Sequence, residues 1–278
     1  MNNIKKYPSK IMLFGEYGVL YGGEGLAIPC NRYHAWWSKS AEDVEYKLPV
    51  SLLEQMAAFC ADHILISEHL DIGSWVEVMH SGETIATDIP IGYGLGSSGS
   101  VVAAVYDRFH IKEVQDIKQL REILARMEDF FHQKSSGLDP LVCYLDQAVR
   151  LHGEEVELVD APVTLHFELF DTEINRSTHH LVEIFRERMK DEEYSHFILD
   201  IYLPLNRSCI DAWLSNDCET LLSKLKKLSS LQLEYFNFAI PTHVWYDWGQ
   251  DLAHGNHIMK LCGAGGGGYM LRFDTAGI

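Results

Sequence analysis

The sequence has no cysteine pair of the CxxC type, no long apolar run and few basic residues, and each shortage excludes a class of protein. Its six cysteines are scattered and show no zinc-ligand spacing, so neither a disulfide framework nor a zinc site is predicted. No segment approaches about 18 uninterrupted apolar residues, and the basic N-terminus is not followed by an apolar stretch of signal-peptide length. We therefore expect a cytoplasmic protein that does not associate with membranes.

The shortage of basic residues bears on possible partners. The chain of 278 residues carries 23 Lys and Arg against 40 Asp and Glu, a formal net charge of -17 at pH 7. Because binding to a nucleic acid backbone depends on clustered cations, we expect no nucleic acid partner. Small anionic ligands fit the composition if backbone dipoles and a few cations receive them.

The pattern of apolar residues indicates an α+β protein with two lobes. A short apolar run over residues 10–15 predicts a strand, and helical spacing predicts helices over 51–65 and 98–109. The alternating stretch SWVEVMH over 74–80 predicts another strand. A hydrophobic content of 47% is ample for one large core or two medium ones.

The composition changes once along the chain. The stretch GEEVELVDAP over residues 153–162 is acidic and turn-like, and it marks the expected boundary between an N-terminal domain, 1–155, and a C-terminal domain, 156–278. No repeat of solenoid period and no low-complexity linker is present in the sequence.

The stretch GYGLGSSGS over residues 92–100, which runs into the apolar VVAAVY, is typical of a loop that binds phosphate. It matches the dinucleotide fingerprint GxGxxG, but the segment TDIPIGY before it lacks the buried strand that this fingerprint requires. The chain has no Gly-Lys pair, which excludes the common P-loop, and the spacing is one residue too short for a nucleophile elbow. A glycine-rich helix cap without a ligand stays open as the alternative.

Three other stretches supply candidate partners for such a loop. In PSKIMLFGEYGVLYGG, Lys10 and Glu16 flank a strand, and in ARMEDFFHQKSSGLDP a Ser-Ser-Gly turn can fold Asp139 back toward Glu128. Two carboxylates at one site can divide their work, one on Mg²⁺ and one as a base. In KLCGAGGGGYMLRF, five glycines crowd into 263–268, where backbones can approach a ligand closely. Taken singly, each stretch is also compatible with a purely structural role.

Taken together and in this order, these stretches resemble the three motifs of the GHMP kinases. The first motif corresponds to PSKIMLFGEYGVLYGG, the second to IPIGYGLGSSGSVVAA and the third to KLCGAGGGGYML, while SSGLDP resembles the aspartate segment of the mevalonate-kinase branch. The resemblance implies an N-terminal domain with the fold of ribosomal protein S5 domain 2, followed by a C-terminal α+β domain. It also implies ATP and Mg²⁺ as cofactors and an organisation as monomer or homodimer.

The resemblance further implies roles for individual residues. Asp139 and Lys10 match the catalytic pair, and Ser98 and Glu128 match the Mg²⁺ ligands. The residues that match the ATP-binding loop are Gly92, Gly94, Leu95, Gly96, Ser97, Ser98, Gly99 and Ser100. Those that match substrate-binding positions are Lys10, Glu16, Tyr17, Asp139, Gly263, Ala264, Gly265 and Gly266.

The acceptor that the resemblance favours is mevalonate, phosphorylated by direct in-line transfer from ATP. GEY replaces the GEH typical of mevalonate kinases, and both GEY and GLGSSG also resemble phosphomevalonate kinase. A second phosphate on the acceptor would call for extra cations, yet Lys10 is the only basic residue within the first two motifs, and Arg32 follows the first. Another GHMP small-molecule kinase, a mevalonate diphosphate decarboxylase and a non-catalytic binding protein on this fold are the further alternatives.

Overall fold

A computed structural model describes residues 4–39, 46–132, 134–153, 155–162, 165–175 and 179–275. Over these residues the chain forms both strands and helices. The strands are β1 (Tyr7–Phe14), β2 (Glu24–Ser38), β3 (Tyr46–Lys47), β4 (Thr84–Thr87), β5 (Ala148–His152), β6 (Glu155–Val159), β7 (Phe167–Asp171), β8 (His257–Leu261) and β9 (Tyr269–Asp274).

Among the described residues, six α-helices precede β5 and five follow β7. The first six are α1 (Val50–Ala61), α2 (Ile64–Ser67), α3 (Ile72–His80), α4 (Ser97–Phe109), α5 (Ile117–Glu128) and α6 (Leu138–Leu145). The other five are α7 (His179–Arg188), α8 (Glu192–His196), α9 (Leu203–Leu214), α10 (Cys218–Tyr235) and α11 (Val244–His254). A π-helical stretch, Phe197–Tyr202, joins α8 to α9, and short 3-10 turns occur at Gly18–Tyr21 and Asn237–Ala239.

The strands pair into two sheets. One has six strands, in the order β3-β4-β2-β5-β6 with β1 paired to β2, and the other has three, in the order β7-β9-β8. In the second sheet β9 is antiparallel to both neighbours, with Leu271 opposite Leu169 on one side and Lys260 on the other. This register places Lys260 on the strand that leads into the third glycine-rich motif.

Two compact units divide the chain, and both are discontinuous. The first unit comprises Met1–Lys10, Pro29–Pro90 and Gly96–Val149, and the second comprises Ile11–Ile28, Ile91–Leu95 and Arg150–Ile278. The changes of unit at residues 10/11, 28/29 and 149/150 fall inside β1, β2 and β5, so these three strands contribute residues to both units. A boundary between two family domains at residue 155 stays a prediction.

The first unit is built around helix α4, which packs against α5 and α6. Nine of its thirteen residues are buried, from Gly99 onward, so the helix that follows the glycine-rich loop forms part of the hydrophobic core. The helix predicted over 98–109 is thereby confirmed. Pro140 lies in the first turn of α6, where the missing backbone N–H costs no hydrogen bond.

The second unit packs α10 against α9, α11 and strand β8. Trp213 and Trp248 are fully buried there, and the indole N–H of Trp248 donates to Ser229 Oγ at 2.8 Å. Within the described ranges, none of the helices has both the length and the apolar character that a membrane crossing requires.

The strand predicted over residues 74–80 is wrong, because these residues belong to helix α3. The Asp71 side chain caps this helix by accepting from the Ser74 backbone N–H at 2.9 Å, which satisfies one of the donors left free at a helix start. Trp75 and Met79, four residues apart, point into the core. The cap and the two large buried side chains at helical spacing therefore favour a helix more strongly than the alternation of apolar and polar residues favours a strand.

Candidate active site

A lysine and a carboxylate meet at one end of helix α6. Lys10 extends from β1 and is 4% exposed, while Asp139 lies in the first turn of α6. Lys10 Nζ lies 3.0 Å from Asp139 Oδ2. The two side chains therefore form an ion pair at the start of α6. Two of the predicted catalytic residues are thus in direct contact.

The glycines of the loop before α4 adopt backbone conformations that favour glycine. Gly92, Gly94 and Gly96 have φ values of 82°, 83° and 69°, in the left-handed region where a side chain is strained. A Cβ added at Gly96 would lie 2.8 Å from Lys10 Cγ and 3.4 Å from Asp139 Oδ2. Only a residue without a side chain therefore fits beside the Lys10–Asp139 pair.

The start of α4 offers backbone donors for an anion. Its first amides have no partner within the helix, and the helix dipole adds partial positive charge at that end. Ser97 and Ser98 occupy the first two helical positions, and both are half-buried. The geometry suits a phosphate oxygen near these amides.

Ser98 and Glu128 form the second contact of the predicted site. The Ser98 hydroxyl donates to Glu128 Oε1 at 2.8 Å, and the hydroxyl of Ser135 donates to Glu128 Oε2 at 2.5 Å. Glu128 is 3% exposed. Burial, reinforced by the charge of Asp139, raises its pKa to about 7. The influence of the Asp139 charge on Glu128 is in line with the prediction that Asp139 folds back toward it.

The donor set of Ser98 and Glu128 fits a hard divalent cation. Mg²⁺ prefers oxygen ligands and commonly takes only one or two from the protein, with phosphate oxygens and water supplying the rest. A cation beside the buried carboxylate would stabilise its charged form, which burial alone disfavours. Among the described residues, no group of three or more His, Cys, Asp or Glu side chains is arranged to hold a metal, so a site here depends on ligands from a bound phosphate.

Two residues predicted for the ATP loop have side chains that point into the protein. Leu95 is 1% exposed, and the buried Ser100 hydroxyl donates to the carbonyl of Pro8 at 2.8 Å. Their side chains therefore stabilise the loop and its helix. A contact between these two residues and ATP stays a prediction, and it would have to involve their backbone atoms.

The remaining predicted residues belong to the second unit. Tyr17 is 4% exposed, and its hydroxyl donates to the carbonyl of Ala264. Its ring packs against Phe185, with ring centroids 4.8 Å apart. Glu16 is 1% exposed and forms an ion pair with Lys260. Direct contact of Glu16 or Tyr17 with a substrate stays a prediction, and the structure shows that both have polar partners within the protein.

The glycine cluster of the third motif is braced by several neighbouring segments. The amide of Gly266 donates to the Ala239 carbonyl at 2.6 Å, and the amide of Gly268 donates to the Ile174 carbonyl at 2.7 Å. A Cβ at Gly265 would lie 2.3 Å from the same Ala239 oxygen. Gly263, Gly265 and Gly266 also have positive φ values. The close approach of backbone segments therefore explains why glycine is required here.

Sequence reasoning missed three residues of these clusters. His132 Nε2 lies 3.2 Å from Ser98 Oγ, one helical turn after Glu128, and Ser135 binds the other carboxylate oxygen. The i, i+4 spacing from Glu128 was an available signal for His132. Lys260, the partner of Glu16, is a single lysine within a strand and gave no signal of its own.

Comparison with known proteins agrees with this fold. Residues 54–147 match the family described as GHMP kinases N terminal domain. The mevalonate kinase of Thermococcus gammatolerans is 26% identical over 74% of this chain and 68% of its own length. That of Pyrococcus abyssi is 28% identical over 66% of this chain and 61% of its own length. The alignments thus span about two thirds of the length of these two curated relatives.

The similarity extends to the three-dimensional fold. The crystal structure of the Methanococcus jannaschii mevalonate kinase superposes with a TM-score of 0.68, covering 99% of this chain and 91% of that one at 17% identity. The mixed α+β fold predicted from the sequence is confirmed. Residues 54–147 thus resemble the N-terminal domain of the GHMP kinases, and the chain shares the fold of a solved mevalonate kinase.

Proposed function

We propose that this protein transfers the γ-phosphoryl group of ATP to the hydroxyl of mevalonate, giving 5-phosphomevalonate and ADP. The observation that carries the proposal is the contact between Lys10 Nζ and Asp139 Oδ2, 3.0 Å apart, beside the first turn of α4. Relatives named mevalonate kinase support the choice of reaction. The whole activity, including the acceptor, belongs to the proposal.

The chemistry assigned to the chain needs no covalent intermediate. Asp139 accepts or orients the proton of the acceptor hydroxyl, and the ammonium of Lys10 stabilises the negative charge that develops on that oxygen. As the new O–P bond forms, the bond between the γ-phosphorus and the bridging oxygen breaks, and ADP leaves. The free amides at the start of α4 receive phosphate oxygens throughout.

Mg²⁺ would be held by Ser98 Oγ and a Glu128 oxygen together with phosphate oxygens. When bound, the cation would supply charge neutralisation on the phosphates. The chain's own contribution is to keep the Ser98 hydroxyl hydrogen-bonded to Glu128 at 2.8 Å. This contact brings the two oxygen atoms together before a ligand arrives. The conformational entropy of ordering them is therefore lost during folding and not on binding.

Phosphomevalonate is the second candidate acceptor. GEY, with Tyr17 in the place of the usual histidine, favours it. Against it stands the scarcity of cations in the first two motifs. Arg32, which follows the first motif, is exposed, and its guanidinium lies 5.2 Å from the ring of Tyr33. An uncharged hydroxyl end on the acceptor requires fewer cations, which favours mevalonate.

The decisive experiment measures ADP release from ATP and Mg²⁺ with mevalonate, phosphomevalonate, galactose and homoserine as acceptors. We expect turnover with mevalonate and a product of one added phosphate by mass spectrometry. Turnover of phosphomevalonate alone would reverse the choice of acceptor. Turnover of none of the four would contradict the assignment and favour a binding protein, and release of CO₂ from mevalonate diphosphate would favour the decarboxylase.

The role of Asp139 is tested by Asp139→Asn, which keeps the size of the side chain and removes its charge. We expect kcat to fall by about 10² to 10⁴-fold, because the lost group is the general base. Binding of a non-hydrolysable ATP analogue, measured by calorimetry, should stay close to that of the parent protein. Parent-like turnover in this variant would remove Asp139 from the mechanism.

A further inference from the structure

The second unit contains an ion pair that no solvent reaches. The side chains of Lys260 and Glu16 are both 0% exposed. Lys260 Nζ donates to Glu16 Oε1 and also to the carbonyl of Leu261, the latter at 2.6 Å. The two residues lie 244 positions apart along the chain.

Buried residues lie close to this pair. The Phe14 ring centroid lies 5.4 Å from Lys260 Nζ, and Tyr202 and Cys209 nearby are fully buried. Burial, with a smaller contribution from the charge of Glu16, raises the pKa of Tyr202 well above its usual value. Desolvating two charges costs several kcal/mol per ion, and apolar residues of similar volume are often at least as stabilising. A contribution to the stability of the fold therefore does not by itself explain why this ion pair is present.

The position of the pair suggests a different reason. Glu16 follows β1 by two residues and lies in the first motif, while Lys260 precedes Gly263 of the third motif by three residues. The neighbouring Tyr17 hydroxyl bonds to the carbonyl of Ala264. Glu16 thus binds Lys260 just before the glycine cluster, and the adjacent Tyr17 binds Ala264 within it.

The turn that carries Glu16 is itself strained. Tyr17 has a φ of 58°, an unusual value for a residue with a side chain. Such a conformation persists only where the surroundings determine it, and here the ring of Tyr17 is packed against Phe185 and Phe236 at centroid distances of 4.8 and 5.6 Å. The first-motif turn is therefore held in one conformation by its packing, and it can position residues 263–268 through its contacts with them.

We propose that Lys260 is a positioning residue. Through its buried ion pair with Glu16, it sets the place of residues 263–268 relative to the first-motif turn, and so fixes the backbone amides of a segment that has five glycines and little stiffness of its own. Glu16, which the sequence predicts to bind substrate, takes the role of the anchor in this arrangement. The effect expected on turnover rests on the proposed kinase function, whereas the effect on the segment itself does not.

The test separates positioning from stability by removing both charges together. Single replacement of Lys260 leaves a buried carboxylate without its counter-charge and is expected to destabilise the protein strongly. The double variant Glu16→Met, Lys260→Met fills a similar volume with apolar atoms, so its Tm should stay within a few degrees of the parent. Its kcat with mevalonate should fall by about 10 to 10²-fold, as expected for misplacement by about 1 Å.

The matched control removes another ion pair of the same unit. Arg272 on β9 makes two bonds of 2.8 Å to the carboxylate of Asp251 on α11, and Asp251 is 7% exposed. This pair joins β9 to α11, whereas the first-motif turn is bonded to Lys260 and to the Ala264 carbonyl. The double variant Asp251→Leu, Arg272→Met should keep the parent's kcat.

A second measurement needs neither ATP nor an acceptor. Hydrogen exchange, followed by mass spectrometry of peptides covering residues 263–268, should be faster in the Glu16→Met, Lys260→Met variant than in the parent and in the control. The amides to follow are those of Gly266 and Gly268, which are bonded to Ala239 and Ile174.

The outcomes are distinct. Parent-like kcat together with parent-like exchange in the Glu16→Met, Lys260→Met variant would overturn the inference, and so would an equal loss in the control. A large fall in Tm of the double variant would assign the pair to stability and overturn it as well. If the unaltered protein phosphorylates none of the four alcohols, the proposed function fails, and the exchange of residues 263–268 alone decides the role of Lys260.

Discussion

Replacing Gly99 with alanine should slow catalysis because of one close contact. Gly99 lies in the first turn of α4, and a Cβ there would meet the backbone carbon of Asp139 at 2.8 Å and the nitrogen of Pro140 at 2.9 Å. Ordinary van der Waals contact begins near 3.4 Å. The start of α6 must therefore move by about 0.6 Å, carrying Asp139 with it.

The size of the effect follows from this displacement. Misplacing a catalytic group by about 1 Å can cost about 10²-fold in rate, so a shift of about 0.6 Å predicts a fall in kcat of about tenfold. Overpacking costs about 1–3 kcal/mol, partly offset by the helix preference of alanine, about 0.5–1 kcal/mol. For a chain of this length the net loss predicts a Tm lower by about 2–6 °C.

A control of the same chemistry is available at Gly249 in helix α11, where an added Cβ meets no atom within 4 Å. Gly249→Ala should raise Tm by about 1–4 °C and leave kcat unchanged. Both variants keep their backbone N–H groups, so the KM for ATP should change little in either. The reasoning is refuted if Gly99→Ala retains the parent's kcat or is as stable as Gly249→Ala.

Three further perturbations address other contacts. In the metal-free protein the folded state holds the proton of Glu128 more tightly than the unfolded chain, so this contribution to stability is full below about pH 4.5 and is lost as pH rises through about 7. Glu128→Gln should flatten the dependence of Tm on pH, measured with a chelator present, and an unchanged slope would contradict the raised pKa. Ser98→Ala should raise the Mg²⁺ concentration for half-maximal ADP release about tenfold or more, and an unchanged Mg²⁺ dependence would argue against a ligand at this position. Tyr17→Phe leaves the Ala264 carbonyl without this donor and should lower the free energy of unfolding in urea by about 1–3 kcal/mol, whereas an unaltered midpoint would show that the bond is unimportant.

The sequence allowed us to expect Ser98 and Glu128 at one site, because both match positions of the GHMP kinase family. The helix over 98–109 was predictable from its apolar spacing, and the return of Asp139 toward Glu128 from the Ser-Ser-Gly turn between them. Ser98 Oγ and Glu128 Oε1 do lie within hydrogen-bond distance, at 2.8 Å. Their roles toward Mg²⁺ stay predictions.

Other features depend on tertiary packing that the local sequence does not encode. The letters over 74–80 alternate as in a strand, but the Asp71 cap and the burial of Trp75 and Met79 favour a helix. Lys260 lies within a strand whose other residues from Ile258 onward are also buried, a pattern that carries no sign of a distant carboxylate. Which residue pairs with a buried charge depends on the fold. The periodicity of apolar residues cannot predict an ion pair between residues 244 positions apart.

The long separation between Glu16 and Lys260 has a consequence during synthesis. The two residues are 244 positions apart, and because a ribosome adds about 5–20 residues per second, Glu16 emerges about 12–50 s before its partner. Until Lys260 has been synthesised, the carboxylate of Glu16 has no counter-charge with which to be buried. Fragments ending before residue 260 lack the partner of Glu16 and should therefore be sensitive to proteolysis around residue 16.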